Sequence, residues 1–225
     1  MAVTRKSFDM QLKKMQEKVS VMGYFVADML TEALNAVLTK DLKLAERVIA
    51  MDDTVDEMDL EIENMCLQML ARQQPLGSDL RLIAATFKVI SDIERIGDYA
   101  EDIAKITPVM VGKDVDELLK SIPKLGEMAV SMIRNAVTAF INADVELAHQ
   151  VCKDDAPTDR LFRQILASTV EHIKSNPQDA EVGVYTVLLA RRLERTADHA
   201  TNIAERVHYL VTGKLVQLAR FYREF

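Results

Sequence analysis

Helix breakers are almost missing from this chain: 7 Gly and 5 Pro are scattered through 225 residues. A sandwich or barrel needs a turn signal roughly every 8–12 residues, so this scarcity predicts long helices. The apolar residues between the breakers keep helical time. Val48, Val55, Ile62 and Met69 stand seven apart, and Met51, Met58 and Met65 form a second row. Two such rows are the seam of a helix packed on other helices. The predicted fold is therefore all-α. Trp is absent and aromatics make up 5%, so the core must be aliphatic, with 12 Met filling its gaps.

Breakers and caps predict six helices. The first runs from about Ser7 to Leu38, and the second continues from the cap Asp41 to about Arg72. The third starts at Ser78, after the turn at Pro75, and ends before Pro108. A linker over 107–116 separates it from the fourth, which carries Pro123 in its first turns and ends near Ile141. Asp144 caps the fifth, which reaches about Lys174. Asn176-Pro177 opens the sixth and Gly213 closes it. The tail, 214–225, brings Phe221, Tyr222 and Phe225 and is expected to dock on the bundle.

The two halves match. Asp41, Leu44, Ala45, Val48, Asp52 and Asp56 recur as Asp144, Leu147, Ala148, Val151, Asp155 and Asp159, shifted by 103. Glu94, Arg95, Asp98, Ala100, Ile103 and Ala104 recur as Glu194, Arg195, Asp198, Ala200, Ile203 and Ala204, shifted by 100. Helical proteins share Leu and Ala by chance, but not four carboxylates and an Arg in one order. The halves are therefore read as an internal duplication. It predicts two tandem three-helix bundles, 1–107 and 108–213, with the tail 214–225 outside them.

Charge narrows the function. A net charge of −7 argues against nucleic acid as the main partner and suits cations or basic protein surfaces. Cys66 and Cys152 stand apart among apolar residues, as buried thiols do in a reducing compartment. No uninterrupted apolar run suggests a membrane span, and the first residues lack the apolar stretch of a signal peptide. The expected location is the cytoplasm.

The carboxylates carry the chemistry. On a helical wheel, Ile83, Phe87, Ile90 and Gly97 share one face with Glu94 in its middle, which predicts a largely buried acid. Asp98 lies one turn on, toward the edge, with Asp102 further round. Between Asp52 and Glu63, seven of twelve residues are acidic and none is basic. Asp53, Glu57 and Glu61 point away from the seam as a solvated face. Asp52, Asp56, Asp59 and Glu63 lie beside it. Antiparallel packing of the second and third helices brings Asp52 and Asp56 level with Glu94, Asp98 and Asp102. Five carboxylates on one groove repel. Arg95 and Arg195, about 100° round their helices from the Glu, reach only the groove's edge. Either structural ion pairs or a hard cation such as Mg²⁺, Mn²⁺ or iron answers the repulsion.

The segments 92–104 and 193–205, with Glu94-Arg95, Asp98 and Asp102 in one and Glu194-Arg195, Asp198 and Asn202 in the other, resemble the PhoU family's E-R-x-x-D-x-x-x-N-I signature. Asp52 to Asp56 and Asp155 to Asp159 resemble its D-x-x-x-D on the preceding helix. The resemblance covers nearly the whole chain. It implies a multinuclear metal cluster in each repeat, iron first, with Mg, Mn or Zn as further candidates. The implied ligands are Asp52, Asp56, Glu94, Asp98 and Asp102, and then Asp155, Asp159, Glu194, Asp198 and Asn202. It also implies a homodimer and a negative regulator of phosphate uptake and phosphate signalling. Such a regulator acts by contact with the ATPase of a phosphate ABC transporter and with a phosphate-sensing histidine kinase, so it can sit peripherally at the inner membrane. Asp102 stands where Asn is usual. Pro157 and Arg192, where the first repeat has Asp92, make the second site the less regular one.

Two other readings compete. One is a helical scaffold with salt-bridged carboxylates and no metal. The other is a ferritin-like di-iron protein built on Glu146-x-x-His149 and Glu205-x-x-His208. The first repeat lacks that pattern, having Lys43 and Glu46 instead, and both His are expected at the surface. No phosphate-binding loop and no catalytic triad is present, so no enzymatic activity is expected.

Overall fold

The computed structural model describes residues 2–218 and Tyr222. Among these the chain is all-α. The long helices are α1 (Ala2–Thr39), α2 (Leu42–Gln73), α3 (Gly77–Ala104), α6 (Ile122–Asn142), α7 (Val145–Ser175) and α8 (Ala180–Thr212). The one-turn helices α4 (Thr107–Met110) and α5 (Asp116–Leu119) occupy the connection between the halves, and a 3-10 turn, Pro177–Asp179, precedes α8.

The same turn joins the first two helices of each half. Lys40 and Ala143 take left-handed backbone conformations with φ of 58° and 51°. The next amide donates back into the finished helix, Asp41 to the Ala36 carbonyl and Asp144 to that of Ala139, each at 2.9 Å. The two aspartate side chains then cap the helices they open: Asp41 accepts from the amides of Lys43 and Leu44 at 3.0 and 3.1 Å, and Asp144 from that of Leu147 at 3.0 Å. Gly213 closes α8 with φ of 73°, as its lack of a Cβ allows. Two predicted caps fail. α3 begins at Gly77, and Ser78 makes no cap because it already lies inside the helix. Asn176 turns backward and donates to the His172 carbonyl at 3.1 Å, so Pro177 opens the 3-10 turn and α8 starts three residues later.

Helices α1, α2 and α3 pack on one another, and so do α6, α7 and α8. The halves join where α1 lies on α6 and α3 on α8, which closes α1, α3, α8 and α6 into a ring of four helices flanked by α2 and α7. One apolar core runs through both halves. The predicted seam is in it: Val48, Val55, Ile62 and Met69 are buried, and Met51, Met58 and Met65 are half-buried against it. Arg5–Thr39 is apolar enough by length and composition to cross a membrane, contrary to the expectation from uninterrupted apolar runs; 56% of its apolar window is buried inside the bundle, as a core helix requires.

α7 runs through Pro157 without a break in its assigned helix. The proline does not delay the helix to its own C-terminal side, because Asp144 has already nucleated it three turns earlier. Tyr222 of the tail reaches α7: its hydroxyl lies 2.8 Å from His149 Nδ1, and the Lys153 ammonium stands 5.5 Å from its ring centre. Leu218 is buried as well. Phe221 and Phe225 lie outside the described residues.

Candidate metal centre

Helices α2 and α3 come together closely at the first acidic groove because position 97 has no side chain. A Cβ on Gly97 would stand 3.1 Å from Val55 Cγ1 and 3.6 Å from Asp52 Oδ1. Burial, reinforced by the carboxylates of Glu101, Asp98 and Asp56, pushes the Asp52 carboxyl up to about 6. Burial and Asp98, with smaller pushes from Asp59 and Asp56, also raise Glu94 above its ordinary range against the pull of Arg95. Asp59 is raised by burial, Glu63 and Asp56, and its Oδ1 is buried without a hydrogen-bond partner. Four predicted residues, Asp52, Asp56, Glu94 and Asp98, are therefore neighbours along one groove, in which Asp52, Glu94 and Asp98 are half-buried and Asp56 is exposed at the edge. Asp53, Glu57 and Glu61 are exposed, as expected.

The second groove is the more deeply buried. Asp155 is 1% exposed, and the Glu194 side chain keeps 10% of its surface where that of Glu94 keeps 26%. Glu94 is thus half-buried rather than largely buried; full burial belongs to its counterpart. Burial, then Asp198, Asp159 and Asp155, push Glu194 up to about 7. Its Oε1 accepts from Arg191 at 2.5 Å, and its Oε2 is buried with no hydrogen-bond partner. Pro157 leaves α7 helical, and Arg192 turns out of the groove.

Arg192 instead pairs with Asp102 at 2.8 Å across the α3–α8 contact. Asp102 therefore does not join the first groove, and Glu101, a quarter turn away on the wheel and level with Glu94, stands there in its place. Asn202 is displaced in the same way: it donates to Asp92 Oδ1 at 3.1 Å, again between α3 and α8. Both residues sit at the edge of the carboxylate face, where the neighbouring helix decides the direction of the side chain. The basic residues also differ from expectation. Arg95 does serve Glu94 and Asp98, at 3.5 and 2.7 Å, and Lys105 pairs with Glu101. Arg195 leaves its own groove and lies 5.8 Å from the ring centre of Tyr99, while Arg191 and Arg163 reach Glu194 and Asp159. Arg191 was visible in the sequence three residues before Glu194, the spacing of helical neighbours.

The donor set fits a hard cation: it is all oxygen, crowded, and partly without hydrogen bonds. Its geometry is open. Among the described residues, no three His, Cys, Asp or Glu side chains already converge at ligand distance. A cation would have to draw them inward. Where α7 begins and α8 ends, His149 and His208 are half-buried neighbours with ring centres 5.7 Å apart, not surface residues. Burial, then His149 and Lys214, hold His208 below its ordinary range.

The PhoU domain family matches residues 19–107 and 122–207, one stretch in each half. A phosphate-specific transport system accessory protein PhoU homolog of Clostridium acetobutylicum is 32% identical over 217 residues, covering 96% of this chain and 99% of that one. PhoU homolog 1 of Thermotoga maritima is 34% identical, covering 92% and 90%. The crystal structure of PhoU from Pseudomonas aeruginosa superposes with a TM-score of 0.88 at 33% identity, covering 92% of this chain and 100% of that one. Across its full two-repeat length, in sequence and in fold, this chain belongs to the PhoU family.

Proposed function

We propose that this protein regulates phosphate transport, as a negative regulator that senses phosphate status indirectly and binds cations in its two acidic grooves. The observation that carries the regulatory role is the end-to-end similarity to relatives named as accessory proteins of the phosphate-specific transport system. It acts by contact, on the ATPase of a phosphate ABC transporter and on a phosphate-sensing histidine kinase, from the cytoplasm at the inner membrane, as a homodimer. The test is genetic and biochemical. Deleting the gene should raise phosphate uptake in ample phosphate, and tagged protein from such cells should retain the ATPase or the kinase. Normal uptake together with retention of neither would overturn this reading.

The cation reading rests on Glu194, a carboxylate that is buried, crowded by three others and only half hydrogen-bonded. Asp155, Asp159 and Asp198 would share the second ion or ions, and Asp52, Asp56, Glu94 and Asp98 the first. Iron is favoured, with Mg²⁺, Mn²⁺ and Zn²⁺ as alternatives. The scaffold reading, in which Arg95, Lys105, Arg163 and Arg191 alone balance the acids, gains from the ion pairs they make. Elemental analysis of protein purified without chelators separates the two. At least one metal per chain, lost in Glu94→Ala with Asp98→Ala, supports the cation; metal-free protein of unchanged stability supports the scaffold.

A further inference from the structure

The same arginine points two ways in the two repeats. Arg95 and Arg195 each follow the glutamate of an acidic groove and are equivalent under the shift of 100. Arg95 turns into its groove. Its Nε lies 3.5 Å from Glu94 Oε2, and its Nη1 donates to Asp98 Oδ2 at 2.7 Å. Arg195 turns the other way, and its guanidinium stands 5.8 Å from the ring centre of Tyr99 across the α3–α8 contact. An arginine at this position therefore has two stations. One is among the carboxylates of its own repeat, and the other is against the opposite repeat.

The outer station also exists for Arg95. Under the shift of 100, Tyr99 becomes His199 and Arg192 becomes Asp92. Where Arg195 has the Tyr99 ring beside it, Arg95 has the His199 ring within its range, held at Nδ1 by Asp92 at 2.7 Å. Asp92 lies three residues before Arg95, the spacing of helical neighbours. His199 and Asn202 both contact Asp92 Oδ1, which leaves Oδ2 for a guanidinium. Beside Arg195 the corresponding residue is Arg192, a like charge, yet the tyrosine ring holds both guanidiniums, at 5.3 and 5.8 Å. The first repeat sets a carboxylate in place of that like charge. The Arg95 side chain is 59% exposed, so packing does not hold it in the groove.

We propose that Arg95 competes with a metal ion for Glu94 and Asp98, and that a cation in the first groove sends Arg95 to Asp92 and His199 at the contact between the repeats. The proposal rests on the cation reading of the acidic grooves. Two positive charges on the same two carboxylates repel, and the guanidinium is the one with another place to go. Filling the groove then adds a guanidinium to the α3–α8 contact, which gives metal occupancy a route to the packing of the two halves. The second groove is built differently. Arg191, whose equivalent is Ser91, holds Glu194 there, and Arg195 already stands outside.

The test titrates Mg²⁺ into the chelated, ¹⁵N-labelled full chain, where the amides of Gly97 and Ala197 read the two grooves separately. Arg95→Gln should tighten the response at Gly97 about fivefold, because the competitor is gone. Arg195→Gln removes the same charge outside the second groove and should change the response at Ala197 by less than about twofold. Asp92→Asn takes the charge from the outer station. It should weaken the Gly97 response of the parent about threefold and leave that of Arg95→Gln unchanged. At saturation the Arg95 Nε–Hε signal should gain a nuclear Overhauser contact with the His199 ring. An unchanged Gly97 response in folded Arg95→Gln, or a saturated protein whose Arg95 gains no contact with His199, would overturn the proposal and leave cation binding standing. No response at either amide to Mg²⁺, Zn²⁺ or Fe²⁺ would overturn the cation reading itself, and this proposal with it.

Discussion

The Tyr99 hydroxyl lies 3.3 Å from His199 Nε2, and the two residues occupy the same position in the two halves of the chain. The local twofold relation between the repeats therefore passes between them. The polar groups around it are arranged in pairs. His199 Nδ1 meets Asp92 at 2.7 Å, while in the mirror position Arg192, the equivalent of Asp92, places its guanidinium 5.3 Å from the Tyr99 ring centre. Asn202 reaches Asp92, and its equivalent Asp102 reaches Arg192. One symmetric frame carries unlike side chains, which makes the α3–α8 contact complementary where identical residues would have set like charges face to face.

Asp92 is the centre of this contact, since it accepts from both His199 and Asn202. Asp92→Ala should destabilise the fold by about 1–3 kcal/mol, because it leaves the half-buried His199 without its acceptor and also removes the exposed Asn202 contact. Asp92→Asn, which keeps one acceptor, should cost less. Chemical denaturation of both variants checks the order.

Gly23 of α1 and Gly126 of α6, equivalent under the shift of 103, should respond unequally to a side chain. A Cβ at position 23 would stand 2.5 Å from Val137 Cγ2, on a β-branched side chain that cannot turn away. At position 126 the obstacle is a terminal methyl of Leu34, which can rotate. Gly23→Ala should cost about 1–3 kcal/mol. Gly126→Ala should stay within about 1 kcal/mol of the parent, since the gain in helix propensity offsets the shift. Thermal melts of the two variants read the difference.

The pH dependence of metal-free protein has an unusual sign. Glu194 is raised in the fold to about 7 from an ordinary 4.5, and Asp52 to about 6 from 3.8. The folded state therefore holds protons that the unfolded chain has released, and stability falls as pH rises through that window. Between pH 5 and pH 7.5 chelated protein should lose about 1–3 kcal/mol. Glu194→Gln should flatten the curve. Urea midpoints at the two pH values decide it; a midpoint that rises with pH contradicts the burial of these acids.

Metal addition should reverse that loss. At a hundredfold excess over its Kd, Mn²⁺ or Fe²⁺ should stabilise chelated protein at pH 7.5 by about 2.7 kcal/mol per site. Asp98→Ala should lower metal content, whereas Asp102→Ala should leave it unchanged, because the Asp102 carboxylate is engaged with Arg192. Elemental analysis of both variants compares the groove as folded with the wider ligand set that the resemblance implies.

The helices and their pairing were legible in the sequence because they depend on local rules. Breakers bound helices, Asp41 and Asp144 cap them through groups two and three residues away, and the apolar period that ran through Val48 and Val55 does face the core. The duplication was legible because equal residues recur at equal spacing. The proximity of four acids in each groove follows from the same local rule: Glu94 with Asp98, and Asp52 with Asp56, lie one helical turn apart beside an apolar seam.

Only the tertiary structure decided where a borderline side chain points. Asp102 and Asn202 sit at the edge of the acidic face, and the arrival of the other repeat drew both into the α3–α8 contact. The same packing sent Arg195 to Tyr99, brought Arg191 to Glu194 and left Glu194 more buried than Glu94. The physical reason is that helical periodicity fixes a residue's angle about its own axis. The choice of partner at that angle, and the dielectric around it, belong to whichever helix packs alongside.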